Sequence, residues 1–281
     1  MGKTIRRRPI VCMRRITLGT LDASARSELC ERCHAIYREL SETLDRERFE
    51  QLFFQRDDTR IALFYGSRGE LAGFSNATIL RVQHEGIEHA VFSAGVYVQL
   101  AYRAGEMSAI YGLTEALRFR LRHPRTPLAY LSMASSPAPY CLFTRTMSRV
   151  YPSRHRETPP KLESLVRKVI EVRGLTPIGD SPWLVETFVK PRDLARLHVS
   201  RRLRDDPDAA FYRQQNPTFE TTADAALLVW IPLDSANILT GLLRATWRRL
   251  RHRSVGLRRI GPEDRSPAEL APPQSRDVRA S

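Results

Sequence analysis

Three strand-length segments joined by tight turns between residues 61 and 99 constrain this chain more than any other feature. Ile61-Ala62-Leu63-Phe64-Tyr65 is a compact apolar run, and Gly66-Ser67-Arg68-Gly69 follows it as a turn. Leu71 to Val82 resumes as a second strand, and His84-Glu85-Gly86 turns the chain again. Glu88 to Gln99 is the third strand, carrying Val91, Phe92, Val96, Tyr97 and Val98. Connections this short join antiparallel neighbours, because a parallel pair needs a crossover of about a dozen residues. The segment therefore predicts an antiparallel meander.

Helical patterns flank the meander. Residues 26–54 predict two short helices broken between Ser41 and Asp45, with Asp45 capping the second. Leu29, Cys33, Ile36, Tyr37, Leu40 and Leu44 recur at spacings of three and four, the stripe of an amphipathic helix. After the meander, Tyr102-Arg103-Ala104-Gly105-Glu106 leads into a helix to about Arg122. Its expected inward face is Met107, Ile110, Leu113, Leu117 and Leu121, and Pro124 and Pro127 end it. Leu128 to Met133 reads as a fourth strand, followed by a short helix over Tyr140 to Arg149. Thr158 is expected to cap a helix with Pro159 at its first position and Gly174 past its end. Trp183 to Val189 and Ala225 to Ile231 read as strands on either side of a charged helical insertion at 191–224. Asp234 is expected to cap a last helix whose apolar stripe, Ile238, Leu239, Leu242, Leu243 and Leu250 with Trp247 beside it, packs on the domain. The domain reading is a basic arm at 1–20, a single domain with helical insertions at 21–260 and a disordered tail at 261–281.

A chain of 281 residues buries a sizeable core. Its formal net charge of +14 resides in two flanks. Lys3, Arg6, Arg7, Arg8, Arg14 and Arg15 stand in the first, and Arg244, Arg248, Arg249, Arg251, Arg253, Arg258 and Arg259 in the second, neither flank holding an acid. The body between them is close to neutral, so an extended nucleic-acid groove is not expected, and anionic partners would be met at the flanks. A weak, salt-screened attraction of the C-terminal arginines to anionic surfaces is expected. No apolar run has the length of a spanning helix, and the basic N-terminus has no apolar run behind it, so the expected location is cytoplasmic. Cys30-Glu31-Arg32-Cys33-His34 matches the haem-attachment pattern C-x-x-C-H, but both cysteines fall on or beside an apolar helical stripe and read as core. Neither haem nor metal is expected, since no second ligand pair has the usual spacing.

The order helix, helix, three antiparallel strands, a turn with small residues, helix, strand, short helix over residues 26–150 resembles the GNAT acyltransferase superfamily. The resemblance implies an α+β fold of α/β/α layers, with a mixed, mainly antiparallel sheet flanked by helices. It also implies a cosubstrate, acetyl-CoA or a longer acyl-CoA, lying where the third meander strand splays from the next, parallel strand. The pantetheine arm would pair with the backbone near Tyr97, Val98 and Gln99. The pyrophosphate would rest on amides over Arg103, Ala104, Gly105, Met107 and Ser108, where a helix start holds anions. Aligned on Arg103, the superfamily's phosphate motif keeps Arg103 and Gly105, with Glu106 and Ser108 standing where its glycines belong.

The implied activity is transfer of an acyl group from CoA, or a related thioester carrier, to an amine on a small molecule or peptide. Tyr140 stands in the neighbourhood of the superfamily's acid, and Glu106, Glu88, His89 and His84 are candidate bases. A catalytically inactive binding or interaction module is the alternative, motivated by the lost glycines and the absence of a convincing acid–base pair.

Overall fold

The computed structural model describes residues 8–41, 43–99, 101–103, 105–187, 201–222 and 224–244. Two short strands open it, β1 (Arg8–Pro9) and β2 (Cys12–Thr17), followed by helices α1 (Ala23–Leu40) and α2 (Arg46–Phe53). The meander is β3 (Arg60–Tyr65), β4 (Leu71–His84) and β5 (Ile87–Val98). Next come β6 (Tyr102–Arg103), α3 (Gly105–Arg122), β7 (Leu128–Ala134) and α4 (Pro137–Thr146). The remainder is α5 (Pro160–Arg173), β8 (Leu184–Glu186), α6 (Arg201–Arg204), α7 (Pro207–Gln215) and β9 (Ala225–Pro232). A further helix covers 235–244.

Seven strands form one mixed sheet in the order β2-β3-β4-β5-β7-β9-β8, and β1 and β6 form a separate two-stranded ladder. Within the large sheet only β5 and β7 run parallel. The fold is thus the expected α+β arrangement. The β4–β5 turn places Glu85 and Gly86 at φ 47° and 76°, with His84 opposite Ile87. Two consecutive positive φ values make the hairpin turn whose twist matches the strands, and a glycine takes the second at no steric cost.

Helix ends follow their sequence signals. Asp22 and Asp45 accept from the amides of Ala25 and Arg48 and cap α1 and α2. Gly174, at φ 63°, closes α5 in the left-handed conformation. Pro159, not Thr158, is the residue before α5, with no side-chain cap, so the helix starts one residue later than expected. Of the expected strand Trp183 to Val189, Leu184–Glu186 pairs with β9, and 188–189 lie outside the described residues. Part of the expected basic arm is sheet: Cys12–Thr17 pairs with β3 along its length. The expected tail at 261–281 lies outside the described residues.

Two cores occupy the sheet. One packs α1 and α2 on the β2–β5 end, with Tyr37, Phe49, Phe53, Phe54, Phe74 and Tyr97 at its centre. Cys30 and Cys33 are fully buried in it, as expected of core residues. Burial pushes both thiols upward, Cys30 to about 12. His34 beside them is buried against Phe49, with its Nε2 3.2 Å from the Leu44 carbonyl. The larger core joins α3, α4, α5 and α7 to the rest of the sheet.

The face that α3 buries differs from the expected one. Tyr111, Glu115, Ala116 and Phe119 are buried, while Leu117 and Leu121 are 53% and 74% exposed. A carboxylate enters this core because Arg60 and Arg118 donate to its two oxygens at 2.5 and 2.7 Å. A paired charge on the buried face rotates the apolar pattern away from the one leucine spacing predicts. Residues 235–244 depart similarly. Asn237 binds the Ser148 and Arg149 amides, Ile238 packs on the core and Gly241 lies against Met147, where a Cβ would come within 2.9 Å of the sulfur. Leu239, Leu242 and Leu243, expected to pack, are instead 58%, 47% and 63% exposed, because close approach at Gly241 selects the docking face. Trp247 and Leu250 lie outside the described residues.

Candidate functional site: the splay between β5 and β7

The parallel pairing of β5 with β7 is short. It covers Ala90↔Leu128, Val91↔Ala129 and Phe92↔Tyr130 and then stops. On their other edges both strands continue in register, β5 with β4 through Gly73↔Val98 and β7 with β9 through Ala134↔Leu227. The two strands are therefore held apart by their outer neighbours, and the β5 edge from Ser93 to Val98 has no ladder to β7. Side chains bridge the start of the gap. Ser93 Oγ donates to the Leu131 carbonyl at 2.9 Å, and the Tyr130 hydroxyl to the Ala94 carbonyl at 3.4 Å. Tyr130 sits between Phe92 and Phe143, with ring centroids 5.6 and 5.7 Å away, and burial raises its hydroxyl's pKa.

Beyond β5 the chain turns tightly. The Gln99 amide donates to Ala72 and the Tyr102 amide to Gln99, and α3 begins at Gly105. The first turn of any helix leaves amides without intrahelical partners and carries a partial positive charge. Gly105, Glu106, Met107 and Ser108 form that turn. Ala104, the other expected phosphate contact, lies outside the described residues. Beside the turn, β1 pairs in parallel with β6, Arg8 opposite Tyr102 and Pro9 opposite Arg103. Arg8 of the basic N-terminal flank is thus attached to the strand that precedes the helix. Sequence reading missed this ladder, since two residues per strand carry no periodic signal. Glu70 lies close by, 4.0 Å from Arg8 Nη1, and the Tyr102 hydroxyl donates to it. That bond and the backbone amides around it hold the Glu70 carboxyl down at about 2.

The remaining expected site residues are dispersed. Tyr97 is buried among Tyr37, Phe53 and Phe74 in the α1–α2 core, and Val98 packs against the larger core. The Gln99 side chain donates to Glu39 at 2.6 Å. These three positions offer backbone to the gap, but their side chains are engaged elsewhere. Tyr140 is fully enclosed. Its hydroxyl donates to the Pro152 carbonyl at 3.1 Å, its ring stacks on Phe211, and burial raises its pKa. In this arrangement it is a packing residue, because proton donation to a thiolate needs an accessible hydroxyl. Glu88, His84 and His89 stand at the opposite end of β5 from the splay, with Glu88 paired to Arg81. No group of three or more His, Cys, Asp or Glu among the described residues is placed to hold a metal ion. No helix among the described residues is long and apolar enough to cross a membrane.

No protein-family model matches this chain, and no curated protein matches it. Solved structures match parts of it at low similarity. A conserved protein of unknown function from Enterococcus faecalis V583 is 18% identical, with TM-score 0.32 over 48% of this chain and 31% of that one. This chain therefore spans about a third of that protein's length. Arabidopsis thaliana NAA60 in complex with acetyl-CoA is 16% identical, with TM-score 0.33 over 50% of this chain and 86% of that one. An acetyltransferase of the GNAT family from Streptococcus pneumoniae is 14% identical, with TM-score 0.31 over 53% and 92%.

Proposed function

We propose that this chain is a divergent member of the GNAT superfamily that moves an acyl group from acetyl-CoA or a longer acyl-CoA to an amine. One observation carries the reading: a three-residue parallel ladder opens into a splay, and a helix start follows the released strand within a few residues. An acyl thioester needs both features. Its pantetheine amides find partners on the unladdered β5 edge at Ser93–Val98, and its phosphates find amides over Gly105–Ser108. In the reaction the amine nitrogen attacks the thioester carbonyl, the C–N bond forms, the C–S bond breaks, and the thiolate leaves to take up a proton. Exclusion of water by the aromatic walls Phe92, Tyr130 and Phe143 would favour aminolysis over hydrolysis.

The proton groups are less developed. Glu106 is the carboxylate in the first turn of α3, and its role divides two ways: it takes the amine's proton, or it only repels phosphate. The second reading, a catalytically inactive binding or interaction module, is favoured by Tyr130 closing the mouth of the splay and by the engagement of Tyr140. The acceptor is a small molecule or peptide amine. The four free cysteines fit a reducing, cytoplasmic setting. Leu239, Leu243 and the arginines from Arg244 onward would give at most salt-screened contact with anionic surfaces.

Calorimetry with CoA, acetyl-CoA and longer acyl-CoA esters, followed by detection of free thiol in the presence of mixed amines, tests the reading. Binding with thiol release supports transfer, and binding without it supports the module. Absence of binding to every CoA ester overturns the transfer reading, and turnover with any acceptor amine overturns the module.

A further inference from the structure

The helix at 235–244 is amphipathic in the inverse sense. Its buried positions are Asn237 and Gly241, while Leu239 and Leu243, one turn apart, are left in water. Leu142, on the α4 turn before Thr146, is also 56% exposed, and the Thr146 carbonyl lies beside Gly241. Leucines from two helices that touch at Gly241 thus stay uncovered by the described residues. In the sequence this helix runs directly into the basic flank, where seven arginines and no acid stand between 244 and 259. Arg244, the one of them within the described residues, is exposed and donates to the Met147 carbonyl at 2.7 Å, so an acid does not neutralise it there. Trp247 and Leu250 continue the spacing of Leu239 and Leu243 by steps of four and three.

We propose that this helix docks on an anionic lipid bilayer, with Leu239 and Leu243 entering its surface and the arginines meeting the headgroups. Exposed leucine gains on leaving water, and clustered arginine gains beside anionic lipid; a bilayer surface offers both to one helix. Other occupants satisfy one half of the pattern. Nucleic acid would pair with the arginines and leave the leucines in water. A second copy would cover the leucines but bring two arginine clusters together. The chain's own C-terminal residues 261–281 hold Leu270 and Val278 as their only large apolar residues, too few to cover the face. The proposal rests on the anionic-surface contact assigned to these arginines and not on acyl transfer, since none of its residues lies in the splay or the α3 start.

The test is co-sedimentation of the full-length chain with vesicles of phosphatidylcholine alone and of phosphatidylcholine with phosphatidylserine in a two-to-one mixture. Binding to the mixed vesicles is expected, at least about tenfold tighter than to phosphatidylcholine, and weakened at least about tenfold as salt rises from about 0.05 to about 0.5 M. Leu239→Gln with Leu243→Gln should weaken binding at least about tenfold in low salt. Both positions are exposed, and the pair Leu239→Ala with Leu243→Ala, which favours the helix, serves if the glutamines do not fold. Replacing Arg248, Arg249, Arg251 and Arg253 together by glutamine should weaken it as much. Loss in the arginine variant with unchanged binding in a folded leucine variant leaves the electrostatic contact standing and overturns the docking. Equal binding with and without phosphatidylserine overturns it too. Self-association that the leucine substitutions abolish, without vesicle binding, assigns the face to a second copy. Absence of binding to the mixed vesicles in low salt overturns both the docking and the contact it rests on.

Discussion

Ser93 donates its hydroxyl to the Leu131 carbonyl at 2.9 Å, one residue past the point where β5 and β7 stop pairing. A side chain thus takes the place of the next ladder hydrogen bond and marks where the sheet opens. Ser93→Ala leaves that carbonyl without this donor, so a loss of about 1 kcal/mol is expected. Urea unfolding checks the magnitude. Affinity for CoA should stay within about twofold of the parent, since the proposed pantetheine contacts use the β5 backbone and not this hydroxyl.

Gly105 opens α3. Gly105→Asp brings a side chain and a negative charge to the proposed phosphate position, and CoA affinity should fall at least about tenfold, near 1.4 kcal/mol. Calorimetry on a variant with an unchanged circular dichroism spectrum is the check, and unchanged affinity moves the phosphate elsewhere. Glu106→Gly is the companion. Tighter CoA binding assigns Glu106 to repulsion, whereas lost turnover with binding retained assigns it to proton transfer.

Arg8 is held beside the α3 start by its backbone N–H, which donates to the Ala101 carbonyl at 2.8 Å. Reversing its charge in Arg8→Glu should weaken CoA by about fivefold, roughly 1 kcal/mol, in low salt. The effect should shrink as ionic strength rises, and pantetheine, which lacks the nucleotide phosphates, should bind the two proteins alike.

For Tyr140 the enclosed hydroxyl argues for stability. Tyr140→Phe should cost about 1 kcal/mol through the lost bond to Pro152. Turnover, if present, should retain its rate and pH profile. A rate loss of a hundredfold or more in a folded variant would restore the acid role, since general acids contribute about that much.

The Tyr102–Glu70 contact predicts a pH dependence. With its folded pKa held at about 2, below the ordinary 4.5, Glu70 contributes stability that is fully present above about 4.5 and is lost as pH falls through about 2. Tyr102→Phe removes the largest cause of that depression. The stability difference between parent and variant should therefore be greatest above pH 4.5 and shrink toward pH 2. Urea unfolding across that range measures it, and a constant difference would assign the loss to packing of the Tyr102 ring.

Much of the architecture was legible in residues close together in sequence. The meander followed from short turns, the cap of α2 from Asp45, the end of α5 from Gly174, and the core placement of Cys30 and Cys33 from their helical spacing. Site residues were less legible. Tyr140 and Tyr97 carry the right chemistry at the right distance along the chain. Yet Tyr97 follows the strand alternation into the α1–α2 core, and Tyr140 meets α7, which lies more than sixty residues later.

Turn chemistry, capping and periodicity act over a few residues, and through them the sequence by itself determined the helices α1 and α2, the strands of the meander and that β3, β4 and β5 pair in succession. Tertiary structure alone decided which faces of α3 and of the last described helix are buried, because Glu115 enters the core only with Arg60 from β3, and Gly241 sets the last described helix against Met147. It alone also decided where β5 and β7 part and that the N-terminal basic strand joins β6 beside α3. Those outcomes depend on charges and backbones brought together from distant positions, and no local pattern encodes such a meeting.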